Sequence, residues 1–237
     1  KRRADAIRIL GNALTLNIIL GITFSVFSLI YLDEILRIFG ASEQTLPYAR
    51  EFMQIILVAN VIPHIFYGLN NVMRASGYPA KAMISILLTI AINIILAPIF
   101  IFVLDLEIRG AAMATVIAQT IGMIWVLAHF YSRKPYIHFR FSGFKLRKRI
   151  VTDIFAIGMS PFAIHVAASV VSIITNLKLS EYGGDFAIGA YGIIGSIGML
   201  VVMIILGLTQ GMQPIVGYNY GAGQYSRVTD VLKLTIL

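Results

Sequence analysis

RKPYIHFRFSGFKLRKR, residues 133–149, carries seven basic side chains and no acidic one, and charge-free apolar runs of more than twenty residues lie on both sides of it. A charge at the centre of a bilayer costs roughly 2.5 to 3.5 kcal/mol even on the lenient insertion scale, so this stretch does not belong in hydrocarbon. It reads as a loop at a membrane surface. Because Lys and Arg accumulate on the cytoplasmic side, the stretch also predicts which way each neighbouring segment points.

The surrounding composition agrees. Of the 237 residues 58% are hydrophobic and 13% charged, with a mean hydropathy of +0.85. Soluble domains carry about 25% charged residues. The deficit predicts an all-α, polytopic integral membrane protein whose surroundings are the lipid bilayer. A net charge of +8 would suggest nucleic acid for a soluble protein, but the positions of these charges explain it as an orientation signal, and no nucleic-acid partner is expected. The lack of cysteine excludes disulfides and thiolate metal sites. No metal and no cofactor are expected. Lys1, Arg2 and Arg3 open the chain without a Met or a cleavable leader pattern, which leads us to expect a piece of a longer protein.

Six apolar runs stand out, at 9–32, 52–73, 82–104, 110–132, 154–177 and 186–210. At 1.5 Å per residue each makes a helix of about 33 to 38 Å, enough to cross a ~30 Å hydrocarbon core with some tilt. Placing the basic stretch inside puts 1–8, 74–81, 133–153 and the residues after 210 on the cytoplasmic side, with fifteen Lys or Arg and three Asp or Glu. The outer segments 33–51, 105–109 and 178–185 hold four basic and eight acidic residues. Both chain ends are then cytoplasmic, in a multi-pass protein of the cell membrane. Pro63, Pro98, Pro161 and Pro214 interrupt or end four of the runs, as lipid tolerates only where neighbouring helices re-satisfy the backbone.

The two ends of the chain also resemble each other. RRADAIR (2–8) and RVTDVLK (227–233) share the pattern basic, x, x, Asp, x, aliphatic, basic. A repeat of 225 residues with six spans keeps its orientation, which implies twelve helices in a parent of about 450 residues.

Several blocks resemble the MATE family, the multidrug and toxic compound extrusion transporters, in their bacterial efflux branch. They are RASGYP (74–79), NIILAP (93–98), RGAAMAT (109–115), IGMSP (157–161), YGGD (182–185) and, the most specific, GLTQGMQPIVGYNYGA (207–222). The resemblance implies a twelve-helix, two-lobe transporter that exchanges Na⁺ or H⁺ for small organic cations by alternating access. It makes 1–132 the last four helices of the first lobe and 133–153 the linker between lobes. It makes 154–237 the first two helices of the second lobe and the start of the next, with the remaining helices of the parent as partners.

Within the six runs there is no Asp, Glu, Lys or Arg. The family's fifth helix often reads Asn-x-x-x-Asp-Pro, with the Asp in its proposed cation site; here Ala97 stands at that position. Helical rise places Asn60, Asn93 and Gln119 about 18 to 21 Å from the cytoplasmic ends, with Ala97 and Thr115 at about 24 to 25 Å, close to one layer. Asn93 and Thr115 match the family's first-lobe polar network. Its fourth-helix Asn fits Asn60 by depth and Asn70 by nearness to RASGYP. Farther along, His165, Ser169, Ser172 and Asn176 fall on one helical face, which either lines a substrate or cation cavity or bonds to another helix. Gln210 and Gln213 bracket Gly211 before Pro214, which is expected to end the helix at the inner mouth of a cavity. A turn is expected at 217–221.

A lipid-linked sugar flippase of the same superfamily is the nearest alternative; it would favour several Arg or Lys inside the helices. A membrane-embedded enzyme would need grouped carboxylates for Mg²⁺, and no such cluster occurs. The chain is not expected to be an enzyme. A truncated product without activity of its own is the remaining reading.

Overall fold

A computed structural model describes residues 2–132, 135–140 and 143–236, and all their side chains except those of Arg2 and Arg3. Lys1, Arg133, Lys134, Phe141, Ser142 and Leu237 lie outside the described residues, so four positions of the basic stretch carry no structural account. Every element among the described residues is helical. The chain divides into two compact units, Lys1–Leu177 and Lys178–Leu237, and each is treated by itself.

The first unit opens with α1 (Arg2–Ile30), followed by the short α2 (Leu32–Ile38), α3 (Leu46–Val58), α4 (Val61–Ala75), α5 (Pro79–Pro98) and α6 (Glu107–Tyr131). Ala4–Ile30, Pro79–Val103 and Glu107–Tyr131 are long and apolar enough to cross a membrane. The second expected run is not straight. It is α3 and α4, bent by 56°, with Asn60 as the residue that begins α4. Pro63 falls in the first turn of α4, where a missing N–H leaves little unsatisfied. Pro98 does disturb its helix. It removes a donor from the ladder, and a five-residue π-helix, Ile99–Val103, carries the chain onward with Leu104 N–H donating to the Ile99 carbonyl at 2.9 Å.

The expected inner and outer segments of this unit gather at opposite ends of the bundle. At one end Asn70 of α4 donates to the Ala82 carbonyl of α5 at 2.9 Å, Tyr78 meets His129 of α6 edge-on at 4.7 Å, and Phe130 packs on Phe139 of the basic stretch at 5.7 Å. The core of the unit sits here too. Leu10, Leu14, Phe66, Leu69, Met73, Ala82, Val126 and Phe130 form one buried cluster, with Ile137 and Phe139 against it. At the other end Arg50 Nε pairs with Asp33 at 3.2 Å and Arg109 with Glu51 at 2.6 Å. In lipid the drive to pack comes from close contact and interhelical hydrogen bonds. Gly122 illustrates the closeness: a Cβ there would stand 2.4 Å from Thr89 Oγ1 and 2.8 Å from the Phe66 ring.

The last helical run, α7 (Lys148–Gly221), passes from the first unit into the second. The outer loop expected at 178–185 is helical except at Gly184, whose φ of 61° and ψ of −161° break the run. Only glycine adopts that region without strain. In the second unit, the helix also passes Pro214 and continues to Gly221, so the expected stop at Pro214 and the expected turn at 217–221 are corrected. One lost backbone bond costs less than ending a helix in lipid, where every freed group needs a partner. The helix ends at Gly221, Gly223 follows with φ 73°, and α8 (Tyr225–Ile236) begins. The two copies of the terminal pattern, 2–8 and 227–233, therefore each fall at the start of a helix.

Candidate functional site

Of the residues expected near mid-depth, two are joined. Asn93 Nδ2 donates to Thr115 Oγ1 at 3.2 Å, and that hydroxyl donates onward to the Ala111 carbonyl at 2.9 Å. The pair ties α5 to α6 and leaves the Asn93 carbonyl oxygen without a bonded donor among the described residues. Ala97 lies one turn along the same face of α5. Gln119, one turn beyond Thr115 on α6, is half-buried.

Asn60 is buried and donates to the Gly21 carbonyl of α1 at 3.3 Å. Its own carbonyl meets His64 Nδ1 at 2.9 Å. The first contact ties the bend between α3 and α4 to α1, and the second closes the first turn of α4. Asn70, the other candidate for the fourth-helix position, is buried at the α4–α5 corner, where it also donates to Ser85 Oγ at 2.7 Å.

The stripe on α7 divides. His165 and Ser169 are exposed, and Ser169 returns its hydroxyl to the His165 carbonyl at 2.9 Å. Ser172 is half-buried. Asn176 donates to the Phe39 carbonyl at the end of α2, at 2.9 Å, so its amide binds α7 to the segment after α2. In the second unit Gln210 and Gln213 are both exposed within helix. Among the described residues no three His, Asp or Glu side chains converge as metal ligands.

Two features escaped the sequence reading. A cavity of about 360 Å³ opens at the acidic end, lined by Asp33, Arg50, Glu51, Gln54 and Arg109 among others. Its charges are mutually paired. Beside it the Glu43 carboxylate bonds the Arg37 guanidinium and holds it above its ordinary value. The second feature is Asn12, fully buried in α1, whose Nδ2 reaches the carbonyls of Gly143 at 3.0 Å and Lys145 at 3.1 Å. Its Oδ1 accepts from the Arg147 N–H at 2.8 Å. An Asn beside Gly11 inside an apolar run was the only sequence signal for this tie.

Long helices with apolar surfaces, amides such as Asn60, Asn70 and Asn93 bonded between helices, and ion pairs gathered at one end of the first unit define a multi-pass α-helical membrane protein. The MatE family model matches residues 1–99 and 161–237. The chain belongs to this family, whose members are transporters and not enzymes. Multidrug export protein MepA of Staphylococcus haemolyticus (strain JCSC1435) is 33% identical over 221 residues, covering 93% of this chain and 48% of that protein. The MepA of Staphylococcus aureus (strain NCTC 8325 / PS 47) is 31% identical over 220 residues, with the same coverage. The chain thus spans about half the length of the curated relatives it matches. A solved inward-facing conformation of a multidrug resistance MATE family transporter of the MOP superfamily shares the fold, with a TM-score of 0.78 at 22% identity over 98% of this chain and 58% of that one. A crystal structure of MATE in complex with MaD3S gives 0.83 at 24% identity, over 97% of this chain and 52% of that one.

Proposed function

We propose that this chain forms part of an efflux transporter that expels small organic cations in exchange for Na⁺ or H⁺ by alternating access, with the basic stretch on the cytoplasmic side. The observation that carries the reading is the similarity, over 93% of the chain, to proteins named for multidrug export. The internal chemistry supports it. Residues 1–132 supply first-lobe helices, 133–153 the lobe linker, and 154–237 the opening helices of the second lobe. Asn93 and Thr115 form a polar pair at mid-depth whose free carbonyl oxygen suits a cation. Asn60, Gln119, His165, Ser169, Ser172 and Asn176 lie on helices that border the transport path, and Gln210 and Gln213 at its inner mouth.

Ala97 removes the carboxylate that the family pattern places one turn from Asn93. Coupling then falls to a group elsewhere in the transporter. The test is ethidium efflux from bacteria stripped of their own pumps and expressing the whole reading frame, with the Na⁺ and proton gradients collapsed in turn. Efflux lost with one gradient identifies the coupling ion. Protein in the membrane without efflux of ethidium or other organic cations overturns the reading.

A further inference from the structure

We propose that the described part of the basic stretch is a built docking surface for the headgroups of anionic phospholipids. The proposal rests on the spans crossing a bilayer and not on which compound is carried.

The first observation is that the loop is fastened. Asn12 holds three of its backbone groups, at Gly143, Lys145 and Arg147. The fit is close enough that a Cβ on Gly11 would stand 2.4 Å from the Gly143 carbonyl carbon, and a Cβ on Gly143 would stand 2.9 Å from the Ile7 carbonyl oxygen. Phe144 stacks on Phe139 at 5.7 Å and 29°, and Phe139 N–H bonds the Phe130 carbonyl at 3.0 Å. The loop is thus tied to α1 on one side and to the end of α6 on the other.

The second observation is what the fastened loop displays. Lys145, Arg147, Lys148 and Arg149 are exposed, and none has an ion pair among the described residues. The nearby Asp5 is taken by Arg8 at 3.2 Å, and Asp153 lies a turn further along α7. Between the cations Phe144 and Leu146 leave 36% and 42% of their surfaces uncovered. Apolar and cationic side chains alternate along a loop that lies against Gly11 and Asn12 of α1 and against Phe130 near the end of α6. Such a surface matches a phosphodiester above an acyl boundary, since guanidinium forks bind phosphate oxygens and apolar side chains enter the interface. A loop already ordered loses little freedom when the lipid arrives.

The test uses the whole protein in mild detergent, with lipid binding read by native mass spectrometry against phosphatidylglycerol and phosphatidylcholine. Wild type is expected to retain phosphatidylglycerol in preference. Lys145→Gln with Arg147→Gln leaves five cations in the stretch to set orientation, and is expected to weaken phosphatidylglycerol about tenfold with phosphatidylcholine unchanged. Asn12→Ala keeps every charge but frees the loop, and is expected to weaken phosphatidylglycerol about threefold. Equal phosphatidylglycerol affinity in wild type and the double variant overturns the proposal. So does a folded Asn12→Ala protein that binds as wild type. Displacement of the lipid by inorganic phosphate at comparable concentration overturns it too, because Phe144 and Leu146 would then contribute nothing.

Discussion

Asn93 and Thr115 sit where α5 and α6 run side by side, with one Asn93 amide proton on Thr115 Oγ1 and the Thr115 hydroxyl proton on the Ala111 carbonyl. An interhelical bond of this kind contributes about 0.6 to 2 kcal/mol in a membrane. Asn93→Leu is expected to lower unfolding stability by no more than that while abolishing or sharply reducing efflux; equal losses in both would mark the pair as structural. Ala97 offers the converse experiment. Ala97→Asp would place a carboxylate one turn from the free Asn93 oxygen, and efflux in everted vesicles is expected to become steeper with external pH. An unchanged pH profile would show that position 97 does not face the coupling path. At Asn12 more is lost, because its removal leaves the buried Gly143 carbonyl without its donor, at about 1 to 3 kcal/mol, while the part-buried Lys145 carbonyl and Arg147 N–H turn to water. Asn12→Ala is therefore expected to lower the melting temperature of the purified protein more than Asn93→Leu does.

Among the elements, the two interruptions have different causes. The 56° bend between α3 and α4 needs no unusual backbone at Asn60, whose φ of −58° and ψ of −23° are helical; the Asn60 side-chain bond to the Gly21 carbonyl of α1 braces it instead. The break at Gly184 depends on the residue itself, with its φ of 61°. Gly184→Ala is expected to cost about 1 to 3 kcal/mol of stability, or to straighten the run, which spin labels at 178 and 190 would report as a lengthened distance. The sequence marked the break region correctly, since Gly183 and Gly184 lie among charges, but it suggested a loop. Helix persists there because Gly184 alone absorbs the irregular backbone, so a single local cost leaves the flanking helical bonds in place. Pro214 misled for the same reason. Asn60 was visible as a polar residue at depth, whereas its role in a bend was not, because nothing in its neighbours distinguishes a bend from a straight helix.

Across the whole molecule, the charge partition was the most legible feature, since each loop carries its sign in plain sequence. In the first unit the acidic segments meet in the Arg50–Asp33 and Arg109–Glu51 pairs, and the basic stretch meets α1 and α6 at Asn12 and Phe130. Their pairing was not legible. Arg109 and Glu51 are 58 positions apart, and the cavity they line depends on how α3 and α6 approach. Both side chains face solvent in part, with 58% and 39% of their surfaces exposed, so water screens the pair and it contributes only slightly to stability. Arg109→Gln is expected to shift stability a little at low salt and by nothing measurable at high salt. Packing at the basic end was equally hidden, because Asn12 and the residues it holds are separated by more than 130 positions.

That separation has a consequence in time. Asn12 leaves the ribosome long before Gly143, Lys145 and Arg147 exist. At about 5 to 20 residues per second, its amide waits some 7 to 27 seconds for its partners. During that interval α1 can meet its later neighbours while its basic end stays unlocked, so the order of synthesis lets helices be sorted before they are fastened. The three residues that Asn12 holds thus arrive late, as the latch that closes the basic end of the unit.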